Sequence, residues 1–179
     1  MPSVIASGFG TILLSVKSFL VAQLTLDAAQ VKIVSRDKRR VPKFTGDKDV
    51  LLRPLNFISK QQDFDGGGRH TCRLKRWFDA FCRHRNFMDE SQEDTSFLTD
   101  TSGSGQNDAN LGFLEWEELV AATIAGHFPV DAGGNHLTCE EIRIWDGEQP
   151  DKDADVSEWG DSGVRFEVEY FLLLGSAPY

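Results

Sequence analysis

Cysteine is scarce and odd in number: Cys72, Cys82 and Cys139 are the three in a chain of 179 residues, and no two form a CxxC pair. A disulfide framework is therefore not expected, and a reducing compartment is. Long apolar runs are missing as well. The richest stretch, Val4 to Leu26, is broken by Ser7, Gly8, Gly10, Ser15, Lys17, Ser18 and Gln23, which is too polar for a transmembrane span. No basic residue precedes it, which argues against a signal peptide and for synthesis in the cytoplasm. The chain has no GxSxG and no local Cys/His signature of a nucleophilic enzyme. Gly66-Gly67-Gly68 lacks the Lys-Ser/Thr that would make it a phosphate-binding loop. Glu140 and Glu141 are neighbours, so on a strand they point to opposite faces and cannot work as a carboxylate pair. Enzymatic activity is not expected.

Positive charge is nearly missing from the second half. Residues 1–88 hold 16 Lys/Arg against 7 Asp/Glu, a balance of +9, whereas residues 89–179 hold 3 against 21, a balance of −18. The overall charge of −9 argues against nucleic acid as the main partner, because phosphate binding needs a basic surface. Such a split fits a basic arm for nucleic acid, two complementary surfaces, or solvated faces without a function. An apolar share of 40% is ordinary for a globular protein, so a packed core is expected.

The apolar pattern sets out the elements. Ile12, Val16, Phe19, Leu20 and Leu24 recur at helical spacing over Thr11–Leu24, with Ser15, Lys17 and Gln23 on the other side. Gln30–Ser35 alternates as a strand, and a second short strand near Val50–Arg53 is expected to stop at Pro54. Arg69–Arg85 is the longest strand candidate. Arg73, Lys75, Trp77, Asp79, Phe81 and Arg83 take one face, while Cys72, Leu74, Arg76, Phe78, Ala80 and Cys82 take the other, which is the more apolar and is expected to face the core. Its length predicts a bend or bulge within it. A helix is expected over Leu111–Ala125, with Leu114, Leu119, Val120, Thr123 and Ile124 as its stripe and Gly126 as its end. Strands follow at Leu137–Trp145 and Val164–Leu174. Residues 88–110 read as a long polar loop or extended hairpin, and residues 146–162 as an acidic loop. The expected fold is a single α+β domain over 1–179, with a mostly antiparallel central sheet flanked by two main helices.

Metal and nucleic-acid chemistry each have a candidate. His70, Cys72, Cys82, His84 and Cys139 are zinc-ligand types, but Cys72 and Cys82 sit far apart on one strand unless a sharp hairpin forms near Phe78. Asp151-Lys152-Asp153-Ala154-Asp155 opens like a calcium loop, yet Val156 and Ser162 stand where Gly and Glu are required. No metal and no cofactor is expected. His127 and His136 flank a turn and read as surface histidines. Trp77 and Phe81 among Arg73, Lys75, Arg76, Arg83 and Arg85 could form a stacking platform for single-stranded nucleic acid, the reading from a different class.

In the order of its parts the chain resembles the tail terminator or tail-completion proteins of tailed bacteriophages. The likeness rests on the first helix, the strand ending in Leu51-Leu52-Arg53-Pro54, the arginine-rich strand 69–85 and the polar loop. It continues through the helix Leu114–Gly126, His127-Phe128-Pro129-Val130-Asp131 with Leu137-Thr138, and Trp159-Gly160 before Val164–Tyr170. It is a likeness of layout that covers most of the chain. It implies a structural virion protein of the tail, with no catalytic residues. The implied assembly is a hexameric ring that ends the tail tube and joins it to the head–tail connector or neck protein, with DNA only as passing cargo in the lumen and no membrane partner. Another neck or tail-completion ring subunit would share that layout. Head-to-tail contacts in a ring join two different patches, and opposite charges would register them. The candidate interface residues are Arg36, Lys38, Arg39, Arg40, Arg73, Lys75 and Arg83 on the basic side and Asp151, Asp153 and Asp155 on the acidic side.

Overall fold

Among the described residues, five strands and two helices follow one another as the period-two and helical patterns predict. A computed structural model describes residues 8–34, 48–64, 70–84, 113–137, 139–147 and 160–174. In chain order they are α1 (Phe9–Gln23), β1 (Val31–Ile33), β2 (Lys48–Phe64), β3 (His70–His84), α2 (Phe113–Ala125), β4 (Cys139–Ile144) and β5 (Gly160–Leu174). The sheet order is β1-β2-β3-β5-β4, with β1 parallel to β2 and every other pair antiparallel. The fold is α+β. Among the described residues no helix is long and apolar enough to cross a membrane.

The strand β3 lies at the centre. Its ladder with β5 runs unbroken from His70↔Leu174 to His84↔Gly160, so the bulge expected inside this strand is not there. The irregularity lies in its other partner, β2, between Pro54 and Ile58. Nor does β2 stop at Pro54. Its parallel partner β1 ends at Ile33↔Leu52, so beyond Leu52 that side of β2 no longer needs N–H donors for β1. Proline is tolerated in a strand at such an edge. Within the bulge the Leu55 carbonyl accepts a bond from Arg76 Nε at 3.2 Å. Strand β5 begins at Gly160, so residues 160–162, expected in the acidic loop, belong to the sheet. Residues 88–110 and 148–159 lie outside the described part, as do the basic run 36–40 and Asp151, Asp153 and Asp155.

The alternation in β3 and β5 assigns their faces as expected. Leu74, Phe78, Ala80 and Cys82 of β3 and Phe166, Val168 and Tyr170 of β5 point to the helices and are buried. Phe78 stacks on Phe166 at 5.2 Å between ring centroids, and Phe9 of α1 stacks on Tyr170 at 6.1 Å. Helix α1 adds Ile12, Leu13, Val16 and Leu20 to this core, and α2 adds Trp116, Val120 and Ile124. Both helices cover one face of the sheet because each has one apolar stripe to bury. After α1 the chain turns at Thr25, whose φ of 51° is a left-handed value usually taken by glycine. The Leu26 N–H bonds back to the Val21 carbonyl at 3.1 Å and closes the helix end.

Candidate assembly surface

The face of the sheet opposite the helices carries the charges. Residues across an antiparallel ladder stand side by side, and β3 places basic residues where β5 places acidic ones. Lys75 Nζ lies 3.3 Å from Glu167 and 3.7 Å from Glu169, and Arg73 pairs with Glu169. Asp79 stands directly between Arg53 of β2 and Arg165 of β5. Arg165 Nε donates to one of its oxygens at 2.7 Å and Arg53 Nη2 to the other at 3.0 Å. Toward the sheet edge, Lys32 Nζ reaches Asp49 at 3.1 Å. Aromatic rings separate the ions: Arg53 lies over Phe81 at 4.4 Å, Arg73 over Phe171 at 5.7 Å, and Trp77 meets Trp145 edge-on at 5.7 Å.

This arrangement changes the reading of the basic strand. Arg73 and Lys75, from the basic half of the chain, are matched by Glu167 and Glu169 from the acidic half of the same subunit. Part of the charge split is thus closed inside one molecule. Arg73 and Lys75 keep side-chain exposures of 34% and 42%, so they can still meet a partner. Arg83 is 1% exposed and is enclosed within the subunit. Of the expected interface cations, the described part therefore brings Arg73 and Lys75 together on one face and places Arg83 inside. The candidate stacking platform is likewise crowded with carboxylates, and Trp77 itself is buried.

The second built feature joins α1 to the segment after α2. Ser15, expected on the solvent side of its helix, is buried, and so is His127, expected at the surface. Ser15 Oγ shares a hydrogen bond of 2.9 Å with His127 Nε2 and accepts one of 2.8 Å from the Val130 N–H. Phe19, one helical turn on, stacks on the imidazole at 4.2 Å. The chain then makes a small hairpin in which Val130 bridges His136 and the Pro129 carbonyl accepts from the Leu137 N–H at 2.9 Å. The Asn135 side-chain amide donates to both Asp131 carboxylate oxygens at 3.2 and 3.0 Å, and the Asn135 and Gly133 N–H groups donate to Oδ1 at 2.9 and 2.8 Å, which together hold the carboxyl below the usual range. Gly134, at φ of 80°, takes the left-handed position that a side chain would strain. Both side chains are buried, and the pair ties α1 to the segment after α2. His136 stays exposed, as expected.

Burial pushes the His127 imidazole below its ordinary value of 6.5. The unfolded chain then binds a proton before the folded one does, so stability falls as the pH drops through about 6.5 towards the lowered folded value. Urea midpoints measured between about pH 5 and 7.5 should decline towards acid. In His127→Gln that decline should be shallower, and equal slopes in the two proteins would refute the assignment.

Among the described residues no three His, Cys, Asp or Glu side chains are grouped to hold a metal ion. Phe78 lies mid-strand, paired with Pro54 and Phe166, so the hairpin that could have folded Cys82 back towards Cys72 does not form. Cys82 and Cys139 are not joined in a disulfide. Large apolar side chains reach solvent at Leu14, Ile33, Phe128 and Ile144, with exposures of 58%, 38%, 64% and 46%. Two of these, Ile33 and Ile144, sit on the two outermost strands. The sequence matches no protein-family model and no curated protein.

Proposed function

We propose that this chain is a structural virion subunit that assembles with its own copies into a ring at the end of a bacteriophage tail tube. There it would join the tube to the head–tail connector, with DNA passing through the lumen. The layout likeness gives the reading, and the observed order of helix, sheet, central basic strand, helix, hairpin and closing strand is compatible with it. The observation that carries it is an open sheet with its two edge strands at opposite ends, each presenting an apolar residue to solvent. A ring needs two different patches on each subunit, one to give and one to receive. The role asks for no catalytic group. The nucleic-acid alternative is weakened by the pairing of Arg73 and Lys75 with glutamates of their own subunit.

Mass photometry of the purified chain tests the proposal. One closed species at a fixed multiple of 20.0 kDa is expected. Charge reversal at Arg39 and Arg40 should shift it towards subunits at about 0.05 M salt, and the gap from wild type should narrow towards about 0.5 M, where screening weakens the charge terms in both proteins. A strict monomer that binds oligonucleotides tightly would overturn the ring in favour of the nucleic-acid reading.

A further inference from the structure

We infer that copies of this chain join by antiparallel pairing of the β1 edge of one with the β4 edge of the next, with Ile33 set opposite Ile144. The inference rests on the ring reading and names its joint. Three independent features of the two edges agree with it.

Direction comes first. From the pairing pattern, β1, β2 and β5 run one way and β3 and β4 the other. A rotation about an axis roughly along the strands keeps those directions, so β4 of one copy meets β1 of the next antiparallel. Hydrogen-bond parity comes second. The Val50 N–H bonds the Gln30 carbonyl and the Val34 N–H bonds the Leu52 carbonyl, both at 2.9 Å. Residues 30, 32 and 34 thus face β2, and Val31 and Ile33 turn their backbone groups outward. On β4 the Trp145 N–H bonds the Arg165 carbonyl at 2.8 Å, and Ile144 is paired with Phe166. Backbone groups alternate in an antiparallel ladder, so Ile142 and Ile144 turn theirs outward too. Ile33 and Ile144 can therefore exchange both N–H···O bonds.

The third feature is the side chains. Val31 and Ile142 are fully buried on the helix face, so Ile33 and Ile144, two residues on, point to that same face. Directly opposite residues of an antiparallel pair share a face, and the joint would bring these two exposed isoleucines into contact. On the other face Glu141 and Arg143 are well exposed and pair with each other at 3.4 Å. Charge of this kind discourages indiscriminate edge pairing, so the apolar contact is confined to one face of the joint.

The test mixes two single variants of the full chain, Ile33→Cys and Ile144→Cys, under mild oxidation, with the wild type measured alongside by mass photometry. Opposed residues of a hydrogen-bonded pair have Cα atoms about 5.5 Å apart, within the range a disulfide spans. Peptide mapping should find a link between residues 33 and 144, with covalent dimer at least ~10-fold above either variant oxidised alone. Wild-type rings with no such link, or with links of equal yield in the separate variants, would overturn the joint and leave the ring reading standing. A monomeric wild type with no link would overturn both.

Discussion

Asp79→Ala should lower the free energy of unfolding by about 3–5 kcal/mol, the range found when one partner of a buried ion pair is removed. Asp79 is fully buried, and both of its oxygens are engaged by guanidinium groups from the strands on either side. Without it, Arg53 and Arg165 face each other across β3 with only 23% and 22% of their side chains in contact with solvent. That residual exposure lets them turn partly to water, so the lower part of the range is expected. Native domains are stable by only about 5–15 kcal/mol, which makes the loss visible in any denaturant titration. Asp79→Asn separates charge from shape. It keeps the size and one acceptor oxygen but sets an NH2 donor against a guanidinium donor, so it should recover less than half of the lost stability while the two cations stay unmatched. Full recovery would show that the negative charge is not what holds the strands at this point.

Trp116→Ala should cost about 3–5 kcal/mol, as other large-to-small changes in packed cores do. The indole is wholly enclosed between α2 and the sheet. Lys48 Nζ lies 5.3 Å from the centre of its ring, and Lys48 is itself 7% exposed. Removing the indole thus opens a cavity and takes the π face from a buried ammonium group. The midpoint of urea unfolding should fall with little change in slope, and Trp116→Phe should restore most of it. A midpoint within the error of wild type would mean that α2 is not packed as described.

Trp116 also shows where the sequence could be read and where it could not. Its spacing of four to Val120, and four more to Ile124, is a helical stripe in plain view. The glutamates on both sides (Glu115, Glu117 and Glu118) shift the apparent stripe to Leu114 and Leu119, and only packing against the sheet reveals its true centre. The alternation in β3 and β5 needed no such help, because a period of two leaves one choice of face once a core side is known. Pro54 misleads for the opposite reason. Whether proline ends a strand depends on what lies beside it, and the end of β1 is a fact about another segment. Ser15 and His127 are 112 residues apart. Each alone follows the rule that polar side chains stay outside, and only their meeting makes both burials affordable. The ion pairs of the sheet are intermediate. Opposite charges at alternate positions of two strands are legible, but the register that sets Lys75 beside Glu169 and Asp79 between two arginines comes from the folded ladder. That register is also what pairs Arg73 and Lys75 of the basic half with Glu167 and Glu169 of the acidic half inside one subunit.

The unbroken β3–β5 ladder has a mechanical meaning. Its hydrogen bonds lie across the strands, fifteen residues from each side facing one another without a bulge. Tension applied along the strands loads all of these bonds together in shear, and none can fail without its neighbours. Tension applied across them would open the pairs in turn, like a zip. The molecule is stiff in one direction and peelable in the other, and the direction in which it is pulled decides which it shows.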